Sequence, residues 1–171
     1  MNSTSSRAGI QPAPTEEIRT RLEALPDPEL PVLTLGDLGL IHAVFTEPSG
    51  RLVVEYMPTF LGCPALSAIA SSITQALAEC GYPDTAVRQV LTPAWSTDRI
   101  GACGRRKLVA HGIVPPASTD APAEVRAGLG SLCPNCGSRD TQPHSLFGPT
   151  RCQSMLRCAN CRETFAYLIT V

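Results

Sequence analysis

Apolar positions along this chain fall into short alternating and helical runs, punctuated by proline and glycine. Ile18, Leu22 and Leu25 recur at helical spacing, with Thr15 placed to cap and Glu16 and Glu17 in the first turn. Pro26 and Pro28 end that helix. Leu40–Thr46 alternates as a strand, with Leu40, His42 and Val44 on one face and Ile41, Ala43 and Phe45 on the other. Glu47-Pro-Ser-Gly50 reads as a turn and Leu52–Met57 as a second strand, which predicts a hairpin. Leu66, Ile69, Ile73 and Leu77, flanked by Ala70 and Ala76, form the stripe of a helix that stops at Gly81 and covers a sheet face. Thr85–Leu91 supplies a third strand, with Val87 and Leu91 facing one way and Val90 the other. Ser96-Thr-Asp98 offers caps for a last helix over Arg99–His111, despite two glycines within it. The α-β-β-α-β-α order predicts an α+β class: a two-layer domain over residues 15–112. Residues 1–14 read as lacking fixed structure. Residues 113–131 are rich in Pro, Ala and Ser and read as a linker, with one weak helical turn around Glu124-Val-Arg-Ala127. Residues 132–171 form a second, smaller module ending in a strand over Glu163–Val171.

Two segments do not fit a simple helix or strand. Asp27-Pro-Glu-Leu-Pro31 is a turn holding two carboxylates, whose plain reading is a solvated surface turn. Val32-Leu-Thr-Leu-Gly-Asp-Leu-Gly39 follows, too punctuated for a strand and too apolar for a free loop, so it is expected to be packed down. The second segment is Met57-Pro-Thr-Phe-Leu-Gly-Cys-Pro-Ala65. Pro64 suits the first helical position, and Gly62 allows a tight turn. Cys63 then sits at the positive end of a helix, where a thiol tends toward the thiolate. A small buried cysteine in a tight turn is the competing reading, and local sequence leaves both open. Trp95 reads as core or sheet cover, Arg105-Arg-Lys107 as a solvated face, and His42 as a strand residue.

Composition narrows the setting. Of 171 residues, 43% are apolar and 17% charged, so most of the chain is expected to fold, and a net charge of −1 argues for neither nucleic acid nor an anionic membrane. No apolar run approaches the roughly 20 residues of a membrane span. The Met-Asn-Ser-Thr-Ser-Ser-Arg start lacks a secretion core, so a cytoplasmic location is expected. The eight cysteines then read as thiols or metal ligands rather than disulfides. Cys63, Cys80 and Cys103 are scattered, whereas Cys133, Cys136, Cys152, Cys158 and Cys161 crowd the C-terminal module. Cys133-Pro-Asn-Cys136-Gly and Cys158-Ala-Asn-Cys161 are paired knuckles, 21 residues apart, of a zinc ribbon. Cys152 and His144 compete for the fourth position but lack knuckle spacing, so the predicted set is Cys133, Cys136, Cys158 and Cys161. Zn²⁺ is the expected ion, and four sulfurs also suit rubredoxin-like iron. A closed four-sulfur site offers no open position, so its role is structural: a forty-residue module needs such a staple.

Together these motifs carry a resemblance. Asp27-Pro-Glu-Leu-Pro-Val-Leu-Thr-Leu-Gly-Asp-Leu-Gly39 and Pro58-Thr-Phe-Leu-Gly-Cys-Pro-Ala65 resemble the domain shared by SufT-like and cytosolic iron–sulfur assembly factors. Trp95-Ser-Thr-Asp98, Gly104-Arg-Arg-Lys-Leu108, Gly112-Ile-Val-Pro-Pro116 and a ribbon containing Phe147-Gly-Pro-Thr-Arg-Cys152 resemble the D proteins of the bacterial phenylacetyl-CoA epoxidase system, used in aerobic phenylacetate catabolism. The resemblance implies an accessory, non-enzymatic maturation factor that assists iron or iron–sulfur cluster insertion. Its implied partners are the epoxidase reductase and the diiron oxygenase subunit. By position, Asp27 and Glu29 occupy the family's Asp-Pro-Glu motif, Cys63 its reactive cysteine, and Thr59 the adjoining turn. A transient iron or cluster at Cys63, helped by those carboxylates, is implied. So is a homodimer, since family members often pair. Cys103 departs from the family pattern, and its approach to Cys63 would make a two-thiol site.

The alternative function is a non-catalytic structural subunit or adaptor of the monooxygenase complex, with the ribbon as docking module. A thiol enzyme lacks a histidine spaced to serve as base, since His42, His111 and His144 lie in unrelated segments. Nucleic-acid binding has only Arg139, Arg151, Arg157 and Arg162 in the ribbon to draw on. Direct epoxidation is disfavoured because the chain shows no helical Glu-x-x-His pair and no dinucleotide glycine fingerprint.

Overall fold

The computed structural model describes residues 15–59 and 62–169. The expectations for residues 1–14 and for the chain's last two positions lie outside it. Helix α1 spans Thr15–Glu23 and buries Ile18 and Leu22. Thr15 is itself helical rather than the cap. Strands β1 (Ile41–Thr46) and β2 (Leu52–Tyr56) form the expected antiparallel hairpin. The register shifts between Ile41 and Ala43. This bulge at His42 breaks the alternation read from the sequence, and just before it the consecutive residues Leu40 and Ile41 are both buried. Helix α2 (Leu66–Glu79) buries Ile69, Ile73, Ala76 and Leu77, and β3 (Ala86–Gln89) returns parallel to β2. Strand β3 is shorter than the alternation suggested, and Leu91 is exposed. One apolar cluster joins Ile18 and Leu22 of α1, Ile69 and Ile73 of α2, and Leu52, Val54 and Tyr56 of β2.

The Val32–Gly39 segment is packed as its composition required, with Leu33, Leu35 and Leu38 almost wholly buried. A reciprocal pair holds it. The Thr34 N–H donates to Asp37 Oδ2 at 2.9 Å, and the Asp37 N–H donates to Thr34 Oγ1 at 3.1 Å. Helix α3 (Ala102–Ala110) packs against this segment. A Cβ built at Gly104 would lie 2.9 Å from the Asp37 carbonyl oxygen, so the glycine that looked like a helix defect is what lets the backbones approach. The helix starts at Ala102, after a 3₁₀ turn over Thr97–Arg99, not at Arg99.

Arg106 is exposed as read, but Arg105 and Lys107 are not the solvated face they resembled. Lys107 Nζ donates to Asp37 Oδ2, whose carboxylate is 7% exposed. Arg105 donates to the Pro116, Thr97 and Ile100 carbonyls at 2.8, 2.9 and 3.3 Å. Burial alone would raise the Asp37 pKa, but the Lys107 and Thr34 bonds hold it below its ordinary value.

Past α3 the chain crosses toward the ribbon. Strand β4 (Ile113–Val114) pairs in parallel with β7 (Thr164–Leu168). The stretch 113–131 is stitched down as it connects the modules. Thr97 Oγ1 donates to the Ala117 carbonyl at 2.9 Å and Thr119 Oγ1 to Asp98 Oδ2 at 2.7 Å. The short helix α4 (Ala123–Arg126) follows where one weak turn was read. The second sheet has the order β4-β7-β6-β5, with β5 Thr141–Ser145 and β6 Gln153–Cys158. Tyr167 is buried in the ribbon cluster, and its hydroxyl accepts from the Ala117 N–H and donates to the Arg126 carbonyl. Leu168, next along, is buried in the first cluster. The end of β7 therefore belongs to both modules.

Gly104→Ala should destabilise the protein by about 1–3 kcal/mol through this overpacking, read as a lower urea midpoint. A midpoint equal to wild type would show that α3 does not press on the Asp37 backbone.

Candidate functional site

The Pro-flanked turn after α1 is the first wall of the site. Asp27 is 8% exposed, which overturns the solvated-turn reading. Its Oδ1 accepts the N–H groups of Glu29 at 2.9 Å and Leu30 at 2.8 Å, closing an Asx turn. The Asp27 N–H donates to the Leu33 carbonyl, tying the turn to the packed segment. Burial raises the Asp27 pKa, and the two backbone bonds only partly counter it. Glu29 is half-buried beside it.

The second wall is the turn between β2 and α2. Cys63 is half-buried, and its carbonyl accepts the Leu66 N–H at 3.4 Å. The helix begins at Leu66, with Ala65 as its cap residue, so Pro64 is not the first helical position. The thiol therefore precedes the helix instead of heading it. Its pKa is raised, not lowered: burial dominates, an Ala65 backbone bond partly offsets it, and the charges of Asp27 and Glu29 push it further up. The expected drift toward thiolate is overturned, because burial and two carboxylates outweigh a helix end that is two residues too far away.

These groups meet around a cavity of about 20 Å³, room for one water-sized particle. Asp27, Glu29, Thr59 and Cys63 line it, so the structure gathers all four residues singled out from the sequence. Trp95, Cys152 and Leu168, with Leu30, Leu38 and Ile169, complete the lining. Trp95 Nε1 donates to the Leu38 carbonyl at 2.7 Å, which fixes the indole as a lid beside the packed segment. Cys103 is exposed on α3 and is not part of this lining. The second thiol at Cys63 is Cys152, from the ribbon. Sequence reasoning missed it, although five cysteines in a module needing four left one surplus.

The ribbon cysteines form a separate centre. The Sγ atoms of Cys133, Cys136, Cys158 and Cys161 all lie within 4.8 Å of one another. The Cys133–Cys161 and Cys136–Cys158 separations are 3.7 and 3.6 Å. A disulfide would bring sulfurs to about 2.05 Å. A tetrahedron with metal–sulfur bonds of about 2.3 Å has edges of about 3.8 Å, so the spacing fits one shared ion. Cys152 and His144 are outside this set, as the knuckle spacing indicated.

The two modules match two known families. Residues 15–92 match the family described as iron–sulfur cluster assembly protein, and residues 117–168 match the PaaD zinc beta ribbon domain. The fold and its two cysteine centres thus define an assembly-type α+β domain joined to a zinc-ribbon domain. A protein of Escherichia coli (strain K12), provisionally named as the D component of a 1,2-phenylacetyl-CoA epoxidase, is 39% identical over 164 residues, covering 94% of this chain and 95% of that protein. The chain belongs to this family of phenylacetyl-CoA epoxidase D proteins. An iron–sulfur cluster carrier protein of Mycobacterium bovis is 34% identical over 82 residues, 48% of this chain and 21% of that protein. A domain of unknown function from Bacillus anthracis superposes with a TM-score of 0.49 at 28% identity, covering 55% of this chain and 90% of that structure.

Alkylation of Cys63 should show an apparent pKa above that of a free thiol, and Asp27→Asn should lower it. The asparagine keeps an Oδ1 acceptor for the turn but removes a charge that disfavours the thiolate. Rates of iodoacetamide labelling against pH, followed by peptide mapping, check this. An unchanged or higher value in the variant would contradict the geometry.

Proposed function

We propose that this protein is an accessory maturation factor for a phenylacetyl-CoA epoxidase, assisting insertion of iron or an iron–sulfur cluster into the reductase or diiron oxygenase subunit. The observation that carries this reading is the shared cavity of Cys63, Asp27, Glu29 and Thr59 in a domain matching the assembly family. A thiol beside carboxylates mixes a soft donor with hard ones, a combination suited to first-row metal ions held loosely. The raised thiol pKa makes the site reluctant to load at neutral pH and ready to release, which favours transfer over storage. The protein does no chemistry on the organic substrate in this reading.

The ribbon quartet holds Zn²⁺ as a structural ion, because four sulfurs at tetrahedral spacing leave no open position. Its work is to fix β6 and β7. A second reading, a non-catalytic adaptor of the oxygenase complex, draws on the β5–β6 turn, where Leu146 and Phe147 are 78% and 85% exposed. Among the described residues no helix is long and apolar enough to cross a membrane.

Co-expression of the epoxidase components with and without this protein distinguishes the two. Omission should lower the iron or cluster content of the purified reductase or oxygenase severalfold, and Cys63→Ser should reproduce the loss. Normal loading in its absence, with stable co-purification at fixed stoichiometry, would instead establish the adaptor. Stripping the metal with a strong chelator should abolish the ribbon's near-ultraviolet signal and its protease resistance, while α1–β3 stays folded. A ribbon indifferent to metal loss would remove zinc's structural role.

A further inference from the structure

We propose that Cys63 and Cys152 act as a pair, forming a composite two-thiol site that holds one thiophilic divalent transition-metal cation between the two modules. This deepens the maturation reading and rests on it, since it names the second ligand of the transfer site. The two cysteines are 89 residues apart (152 − 63) and come from different modules, yet both line one cavity of about 20 Å³. Asp27, the most buried carboxylate nearby, lines it with them.

Cys152 does not pack with the ribbon core, where Cys133 and Cys158 reside. It packs against the first domain's core, as Cys63 and Trp95 do. Its position is held in three ways. Its carbonyl accepts the Ile169 N–H at 2.9 Å, its Sγ lies 3.0 Å from Thr150 Oγ1, and the next residue, Gln153, is in register with Leu168. Leu168 is anchored in the first core. Strand β6 thus has the quartet ligand Cys158 at one end, and Cys152 just before the other, roughly 20 Å away at about 3.3–3.4 Å per residue. The quartet's ion orders the strand that presents the second thiol. Among the described residues, the quartet is the donor set gathered within 4.8 Å. Cys63, Cys152 and Asp27 are not gathered that tightly as a trio, so loading draws them together. Loading displaces both S–H protons to the buffer and leaves two thiolate–metal bonds. An open two-thiol site between modules can release its ion when either wall moves.

The test uses the full chain with zinc in the ribbon, under anaerobic reducing conditions, titrated with cobalt(II) as a spectroscopic substitute for ferrous iron. Wild type should take up one cobalt beyond the zinc, with sulfur-to-metal charge-transfer absorption. Cys63→Ser and Cys152→Ser should each roughly halve that band and weaken binding by about tenfold or more. Cys80→Ser and Cys103→Ser should match wild type. A short bifunctional thiol reagent on the unaltered chain should join Cys63 to Cys152 by peptide mapping, and bound cobalt should block it. This arm does not depend on any variant folding. If Cys152→Ser binds cobalt as wild type does and the cross-link never forms, the pair is refuted while a Cys63 site survives. If neither serine variant changes binding, the transfer site itself falls with it.

Discussion

The end of β7 is the constraint on which the rest of this molecule depends. Tyr167 is buried in the ribbon cluster and Leu168 in the core of the α+β domain, so two consecutive residues belong to two cores. Alternation along a strand makes this feasible, since neighbouring side chains point to opposite faces. Burying one leucine-sized side chain contributes about 2 kcal/mol. Here it also fixes how the modules are placed. Parallel pairing of β4 with β7, and the Tyr167 hydroxyl between Ala117 and Arg126, secure the same seam.

That seam creates a site neither module holds by itself. The α+β domain supplies Cys63, Asp27, Glu29 and Thr59, and the ribbon closes the cavity with Cys152 and Leu168. The quartet of sulfurs lies at the far end of β6 and has a different task. One centre is closed and fits a permanent ion. The other is small, partly apolar and flanked by carboxylates, and its thiol pKa is raised by burial and by those charges. The two cysteine sets differ in chemistry because they differ in surroundings.

Two members of the basic triplet on α3, Arg105 and Lys107, show how surface-looking residues can be structural. Arg105 donates to three carbonyls that span the 3₁₀ turn and the crossing to the ribbon, and Lys107 neutralises the buried Asp37. Guanidinium geometry suits such a role, because its donors point in fixed directions within one plane. Gly104 allows α3 to approach Asp37, and the neighbouring Leu38 carbonyl accepts the hydrogen bond from the Trp95 indole that covers the cavity.

The sequence by itself determined the order of the elements in the first domain, the hairpin, the stripe of α2 and which four ribbon cysteines gather. Each depends on residues close together in the chain, where periodicity, turn chemistry and knuckle spacing act locally. It also marked Asp27, Glu29, Thr59 and Cys63 by motif. Only the tertiary structure decided that Asp27 is buried, that α2 starts two residues later than Pro64 suggested, and that the second thiol is Cys152 rather than Cys103. Two of those outcomes hinge on contacts between distant residues: Asp27 is tied to the packed Val32–Gly39 segment, and Cys152 is held beside a strand end shared between cores. No local pattern encodes which distant side chain fills a cavity, because that choice is made by the fit of whole modules against each other.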